Sequence, residues 1–182
     1  MDIDDRPKGD AKMEDRNRRV LELLEAHGTQ LYALLARITL RDDVAEDLLQ
    51  DLAMRLQAAR GFAQAANPAA YAVRAATHLA FDWRKQCKRR RERPLPSAEL
   101  AAGDPSPVSR LAQDEQVRLV LEASGKLPRL CREAFVMRLI QQMPYDTIGK
   151  ELGKTAHQVR ALCHKAVKGV RKRLGEHRRQ GE

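Results

Sequence analysis

Cysteine is scarce in this 182-residue sequence, and its spacing excludes the usual cysteine-based scaffolds. Cys87, Cys131 and Cys163 are an odd number of thiols, lie far apart and form no Cys-x-x-Cys pair. A disulfide framework needs paired cysteines, and a zinc knuckle needs closely spaced ligands. We therefore expect no disulfide scaffold, no metal centre and no cofactor.

Long hydrophobic runs are also missing. No stretch of 18 apolar residues occurs, so the sequence predicts no membrane-spanning helix. Residues 1–18 mix acidic and basic side chains without an apolar segment, which is not typical of a secretory signal and favours a disordered leader. We expect a protein that works in the cytoplasm.

Groupings of catalytic side chains are lacking as well. The five histidines have no neighbouring nucleophile in a recognisable frame, and Cys163 and His164 would point apart on a helix. There is no glycine-rich phosphate loop. The sequence thus favours a protein that is not an enzyme and has no small-molecule substrate.

Positive charge is what the sequence has in excess. Lys and Arg number 34 against 25 Asp and Glu, which gives a net charge of +9 and an isoelectric point near 9.8. Such a balance favours an anionic partner, and nucleic acid is the commonest one for a soluble chain. An acidic membrane surface is the alternative.

Apolar residues recur at helical spacing, and no alternating strand pattern occurs, so we predict an all-α fold of two small helical domains. The first is placed at 19–93, with Gly28 as a candidate break in its first helix and a loop at 60–67. Four prolines then predict an extended linker over 94–110. The second domain is placed at 111–175, followed by a basic tail at 176–182.

The stretch from Pro144 to Val167 predicts a helix-turn-helix. Gly153 can adopt the left-handed conformation that ends a short first helix, and Thr155 is a natural N-cap for the second. Val159, Cys163 and Val167 recur every four residues in the second helix and would face the first helix. A helix that is basic outside and apolar inside suits the major groove of DNA.

The second predicted helix carries a row of carboxylates in an otherwise basic chain. Asp43, Asp47 and Asp51 share one face and repel one another. Three interpretations are open: a solvated face, a docking surface for a basic protein partner, and a metal-dependent nucleic-acid enzyme. The last needs carboxylates that converge on a pocket, which a convex helix face does not supply.

A basic run at 84–91 follows directly on a helix that bears Tyr71, Phe81 and Trp83. Cations beside aromatic rings suit a single strand held by its phosphates with its bases stacked, and a solvated helix end is the alternative. Tyr71 and Phe81 fit a core better than a stacking platform. Phe62, in a predicted loop, has the least structural reason to be aromatic.

Several motifs, in order along the chain, resemble the sigma factors of bacterial RNA polymerase, in the small two-domain extracytoplasmic-function (ECF) group of the sigma-70 family. Val44–Asp51 resembles region 2.2, which docks on the core polymerase. Asn67–Tyr71 and Ala76–Asp82 resemble the region 2.3 and 2.4 helix, which opens promoter DNA and reads the −10 element. Arg132–Phe135 and Tyr145–Lys165 resemble region 4, whose helix-turn-helix reads the −35 element.

The resemblance implies three sets of site residues. Core polymerase would bind Glu46, Asp47, Gln50 and Asp51. The −10 element would be recognised and melted by Phe62, His78, Asp82, Arg84, Lys85, Lys88 and Arg89. The −35 element would be contacted by Thr155, His157, Gln158, Arg160, Ala161, His164, Lys165, Lys168 and Arg171. Implied partners are core RNA polymerase and promoter DNA, both duplex and melted; an anti-sigma factor, which holds many members of this group inactive, is a further candidate.

Three departures from the family pattern bear on which promoter is read. His78 stands where the family usually has Asn, Leu162 stands where Arg is frequent, and Lys154 stands where an aliphatic residue usually packs in the turn. Tyr71 in place of the usual Trp, together with Arg132–Phe135, is similar to the iron-uptake branch of the group. Two other functions stay open at this point: a stand-alone helix-turn-helix regulator, and a magnesium-dependent nucleic-acid enzyme that uses the aspartates of the second helix.

Overall fold

The computed structural model describes the backbone of residues 8–92 and 115–180. Within these ranges it describes the side chains of residues 14–90, 115–177 and 179. The helices in these ranges are α1 (Lys8–Thr39), α2 (Asp42–Ala58), α3 (Arg60–Ala63), α4 (Pro68–Glu92), α5 (Glu115–Gly125), α6 (Arg129–Phe135), α7 (Tyr145–Leu152) and α8 (Ala156–Gln180). A π-helical turn, Val136–Ile140, continues α6. No strand occurs in the described ranges, so the all-α prediction is confirmed.

The N-terminal module packs α1 against α2 and α4. The apolar stripe of α1 places Leu31, Leu34 and Leu35 in its core, each at most 1% exposed, and α2 adds Leu52 and Leu56. Burying a leucine side chain stabilises a fold by about 1.5–3 kcal/mol, which far exceeds the helix propensity of any one residue. Packing between amphipathic helices therefore holds this module together.

Helix α1 differs from its prediction at its start and in its middle. It begins at Lys8, inside the segment expected to be a leader, and runs unbroken through Gly28. Its end is fixed by Thr39, whose hydroxyl donates to the Leu35 carbonyl and accepts from the Arg41 backbone N–H. Leu40 then takes a left-handed φ of 60°, a conformation uncommon for leucine, which its burial offsets.

The C-terminal module packs α5, α6 and α7 around the first half of α8. Its core contains Leu127, Met137, Ile148 and Val159, and Val159 is completely buried. The π-helical turn ends at Ile140, and Gln142 just beyond it has a φ of 54°. Arg138 donates to the Met143 carbonyl and steadies the bend. This bend directs the chain from α6 into the helix-turn-helix.

The helix-turn-helix is built as predicted. Gly153 ends α7 with a φ of 61°, and a β-carbon on Gly149 would lie 2.5 Å from the Lys154 carbonyl oxygen. Thr155 and Gln158 form a reciprocal cap at the start of α8: Gln158 N–H donates to Thr155 Oγ1 at 3.2 Å, and Thr155 N–H donates to Gln158 Oε1 at 3.0 Å.

The linker predicted at 94–110 lies outside the described residues, as do residues 1–7 of the leader and the last two residues of the basic tail. Helix α8 runs to Gln180, so most of that tail is helical. No helix in the described part of the chain is both long and apolar enough to span a membrane.

Candidate nucleic-acid interface and acidic docking face

The outer face of α8 carries most of the side chains predicted to contact duplex DNA. Val159 and Cys163 turn inward, at 0% and 6% exposure. Exposed on the other side of the helix, or in the turn before it, are Thr155, His157, Gln158, Arg160, Ala161, His164, Lys165, Lys168 and Arg171. A shallow groove of about 310 Å³ runs beside them, and Leu130 of α6 forms part of its wall.

One cation on this face, Arg160, is positioned by an aromatic ring that it shares with Arg138 of the π-helical turn. The Arg160 guanidinium lies 5.3 Å from the centre of the Tyr145 ring, and Arg138 lies 4.6 Å from the same ring. Such contacts are attractive and restrict the arginine rotamers. Gln158 is less available than expected, because its side-chain oxygen already accepts the N–H of Thr155 at the cap.

The predicted −10 residues on α4 divide into exposed and engaged side chains. Asp82, Lys85, Lys88 and Arg89 are exposed. Arg84 is half-buried and donates to the Ile38 carbonyl at 3.1 Å, so it also ties α4 to the end of α1. A basic surface consequently runs along the C-terminal half of α4, although Arg84 has a structural role within it.

The placement of Phe62 in an open loop is wrong. Phe62 belongs to the short helix α3 and is 0% exposed, with the Tyr71 ring 5.8 Å away and tilted by 58°. The Arg19 guanidinium lies 5.7 Å from the Phe62 ring and donates to the carbonyls of Ala63 and Ala65, which closes the segment over the ring. As the chain is folded here, Phe62 packs in the core and cannot stack on a base.

His78 is half-buried and contacts a residue that the sequence reasoning did not single out. Its Nε2 lies 2.5 Å from Oε1 of Glu133 in α6, and the Glu133 side chain is 1% exposed. Arg129 donates to Oε1 at 2.9 Å, and Arg74 Nε lies 3.1 Å from Oε2 as an ion pair without hydrogen-bond alignment. Because a carboxylate only accepts hydrogen bonds, Nε2 of His78 is the donor in this contact.

Burial of the Glu133 carboxyl acts to raise its pKa, but hydrogen bonds from His78 and Arg129 and the charge of Arg74 outweigh it, so the pKa is lowered. The sequence did contain a signal for this cluster. Glu133 stands at a position of α6 whose neighbours Cys131 and Ala134 are buried, and Arg74 and His78 are spaced i, i+4 on α4. A charged residue at a core position calls for a partner.

The acidic face of α2 is exposed at its centre and paired at its ends. Glu46, Asp47 and Gln50 are exposed. Asp43 forms an ion pair with Arg41, whose hydrogen bond lowers the Asp43 pKa, and Asp51 pairs with Arg55 at 2.9 Å. Arginines of the chain itself thus relieve part of the repulsion.

That pairing also weighs against a magnesium site on α2, because two of the three aspartates already have cationic partners. The carboxylates lie along a convex helix face, and no group of metal-binding side chains occurs among the described residues. The structure therefore leaves the central carboxylates as a surface that another protein can reach.

The family model described as Sigma-70 region 2 matches residues 23–91, and the one described as Sigma-70, region 4 matches residues 118–169. The ECF RNA polymerase sigma factor SigE of Mycolicibacterium smegmatis (strain ATCC 700084 / mc(2)155) is 28% identical over 159 residues, which are 86% of this chain and 62% of SigE. The chain thus spans less than two thirds of the length of that relative.

A solved structure of the sigma factor RpoE in complex with the anti-sigma factor NepR, from Bartonella quintana, also matches. Its sequence is 21% identical, the match covers 89% of this chain and 98% of RpoE, and the TM-score is 0.44.

The described part of the chain forms two helical modules, one with an exposed basic helix-turn-helix and the other with a basic helix beside an acidic one, an arrangement typical of nucleic-acid-binding proteins. Regions 2 and 4 of a single family match these modules in the order expected along the chain. The chain belongs to the sigma-70 family.

Proposed function

We propose that this protein is a sigma factor of the ECF group, a specificity subunit that binds core RNA polymerase and directs initiation at promoters with defined −35 and −10 elements. Two observations together support the proposal: regions 2 and 4 of the family both match this chain, and α2 carries an exposed acidic face. A stand-alone DNA-binding protein does not need such an acidic face. The proposal assigns the protein no catalysis and places its action in the cytoplasm.

The acidic face of α2 is the proposed binding surface for core polymerase. Glu46, Asp47 and Gln50 are exposed there, and Asp51 lies beside them in its pair with Arg55. Complementary charge steers the encounter of two proteins and fixes their orientation. The folded unit that carries this face is placed at 19–93.

Helix α8 is the proposed binding element for duplex DNA at the −35 element. It belongs to the domain that we place at residues 111–175. Arg160, Lys165, Lys168 and Arg171 would hold phosphates and set the register, whereas His157 and Ala161 are exposed where base edges would lie. Near the −10 element, Lys85, Lys88 and Arg89 would hold the backbone of the melted strand.

Two finer assignments complete the proposal. An anti-sigma factor is a further partner, by analogy with RpoE, whose solved structure contains one. Membership of the iron-uptake branch rests on the sequence alone, namely Tyr71 and the Arg132–Phe135 motif.

The experiment that tests the function uses purified chain, bacterial core RNA polymerase and a library of promoter fragments. We expect the chain to co-elute with core and to support initiation at fragments that share one −35 and −10 pair. Specific duplex binding without any affinity for core would instead favour the stand-alone regulator. Metal-dependent cleavage of the fragments would favour the enzyme.

A further inference from the structure

The two modules contact one another through the face of α4 that holds His78. Glu133, from the C-terminal module, reaches across and places its carboxylate against two side chains of that face, with Arg74 Nε at 3.1 Å and His78 Nε2 at 2.5 Å. Glu151 of α7 adds a second carboxylate, 3.5 Å from Arg74 Nη1. The contact therefore pairs cationic and donor groups of one module with acidic groups of the other.

Further contacts surround this charged centre. At its rim Lys88 Nζ lies 2.6 Å from a Glu122 carboxylate oxygen, and both side chains are about half exposed. The Arg132 guanidinium lies 5.0 Å from the centre of the buried Phe81 ring. In the described part of the chain, the C-terminal module thus contacts α4 at Arg74, His78, Phe81 and Lys88, while Lys85 and Arg89 stay exposed.

Promoter binding is incompatible with this contact. The −35 and −10 elements are 25 base pairs apart by their names, which at 3.4 Å of rise corresponds to roughly 85 Å of duplex. A C-terminal module on the first element cannot keep Glu133 within 3.1 Å of an α4 that sits on the second. The face of α4 can hold either the C-terminal module or DNA, but not both.

The side chains beneath Glu133 are suited to either ligand. Arg74 and His78 lie one helical turn apart and direct their donors at the same carboxylate. A phosphodiester presents the same kind of anionic oxygens, and a guanidinium binds carboxylate and phosphate in the same way. A carboxylate in this position therefore imitates a backbone phosphate.

Separation of the two modules does not leave the Glu133 carboxylate without a cationic partner. Glu133 keeps Arg129, its partner four residues earlier in α6, when α4 leaves. Its Oε2 has no aligned hydrogen bond even in the closed arrangement, so the contact with Arg74 is incompletely satisfied. These features describe a contact that can be exchanged rather than a permanent part of the core.

We propose that Arg74 and His78 form an anion-binding site that Glu133 occupies while the modules are closed and that a backbone phosphate of the melted promoter strand occupies once they separate. Arg74 is thereby a DNA-binding residue that the family motifs did not indicate. The identity of the ligand rests on the proposed function, whereas the closed contact does not.

The test measures two properties of the free, full-length chain: its radius of gyration by small-angle X-ray scattering, and its affinity for a fluorescein-labelled single-stranded DNA 12-mer of mixed sequence. Glu133→Gln keeps the shape of the side chain and removes its charge. We expect the radius of gyration to rise and the 12-mer to bind about tenfold more tightly, because the competent state is no longer a minor one. The matched control is Glu115→Gln, which removes the same charge from an exposed carboxylate in the first turn of α5 and should change neither property much.

A second comparison identifies the phosphate contact. In the open background of Glu133→Gln, adding Arg74→Gln should weaken 12-mer binding and lower the magnitude of the salt slope by about 0.7, the value for one phosphate contact on a single strand. An unchanged slope would remove Arg74 from the site. An unchanged radius of gyration and affinity in Glu133→Gln would refute the exchange altogether.

A wild-type measurement keeps the proposal testable if Glu133→Gln does not fold. A zero-length carbodiimide cross-link between Lys88 and Glu122 should form in the free chain, since their atoms lie 2.6 Å apart. Absence of that cross-link in peptide mass spectra would refute the closed contact. Because neither measurement uses polymerase, failure here leaves the initiation experiment unaffected, and failure to initiate leaves these results standing for another nucleic acid.

Discussion

Replacing Gly149 with alanine tests how tightly the helix-turn-helix is closed. The added β-carbon would lie 2.5 Å from the Lys154 carbonyl oxygen and 3.5 Å from the carbonyl carbons of Lys154 and Thr155. All three atoms belong to the backbone, so no side chain can rotate away to make room. The turn cannot easily retreat either, because the Lys154 N–H donates to the Gly149 carbonyl at 2.8 Å.

The expected net effect of Gly149→Ala is a destabilisation of roughly 2 kcal/mol. Overpacking typically costs about 1–3 kcal/mol, and weakening the turn hydrogen bond adds about 1 kcal/mol, while alanine recovers about 1 kcal/mol of helix propensity. In a module of this size, that difference lowers the melting temperature by roughly 10 °C. The measurement is thermal unfolding of the full chain followed by far-ultraviolet circular dichroism.

A matched control for this substitution is Gly28→Ala. Gly28 lies inside α1, and a β-carbon there would meet nothing within 4 Å, so alanine should stabilise the N-terminal module by about 0.5–1 kcal/mol. The two substitutions are chemically identical and should have opposite signs. If Gly149→Ala were as stable as wild type, the close approach of α7 to the turn before α8 would be refuted.

Three further changes test other parts of the structure. Phe62→Ala should destabilise the chain by about 3–5 kcal/mol in urea unfolding, because it empties a completely buried site, and a near-neutral result would return Phe62 to the surface. Asp47→Arg should abolish co-elution with core polymerase without changing the circular dichroism spectrum. The control Glu25→Arg, at an exposed carboxylate of α1, should preserve core binding. Normal core affinity in Asp47→Arg would refute the assignment of core binding to α2. The lowered pKa of Glu133 means that its stabilisation is present above the ordinary value near 4.5 and is lost as the pH falls through the lowered value. Titrated from about pH 6 to about pH 3, the difference in unfolding free energy between wild type and Glu133→Gln should therefore shrink, and a constant difference would contradict the assigned shift.

Much of the fold could be predicted because the determining signals are local. The helix-turn-helix depends on Gly153, on the Thr155 cap and on the apolar period beginning at Val159, all within a short stretch of chain. Helical periodicity likewise predicted α2, with its row of carboxylates, and α4, with Tyr71, Phe81 and Trp83. Local chemistry decides these elements, and the sequence displays it directly.

The errors arose where distant residues decide the structure. Gly28 has the propensity to break a helix, but packing of α1 against α2 and α4 keeps the helix continuous. Phe62 looks exposed because its neighbours are small and polar, yet Arg19, more than forty residues earlier, binds the carbonyls that follow it and closes the segment. Neither partner can be identified from a local window of sequence.

The candidate sites show the same division. Exposure of the α8 face follows from its own periodicity, and so does exposure of Glu46 and Asp47 on α2. The role of Glu133 could not be derived in that way, because Arg74 and His78 belong to the other module. A buried carboxylate indicates that a partner exists, while only the tertiary fold identifies it.

The closed contact also constrains the order of events at a promoter. Glu46, Asp47 and Gln50 are exposed while the modules are closed, so under the proposed function core polymerase could dock on α2 before the modules separate. Arg74 and His78 are covered in that state, which keeps the free chain from capturing single strands through them. If docking on core moves the C-terminal module away from α4, the anion site opens only on the polymerase, where the −35 element can hold α8 and the melted strand is at hand. Occupation of the site by Glu133 would then couple strand capture to assembly of the holoenzyme.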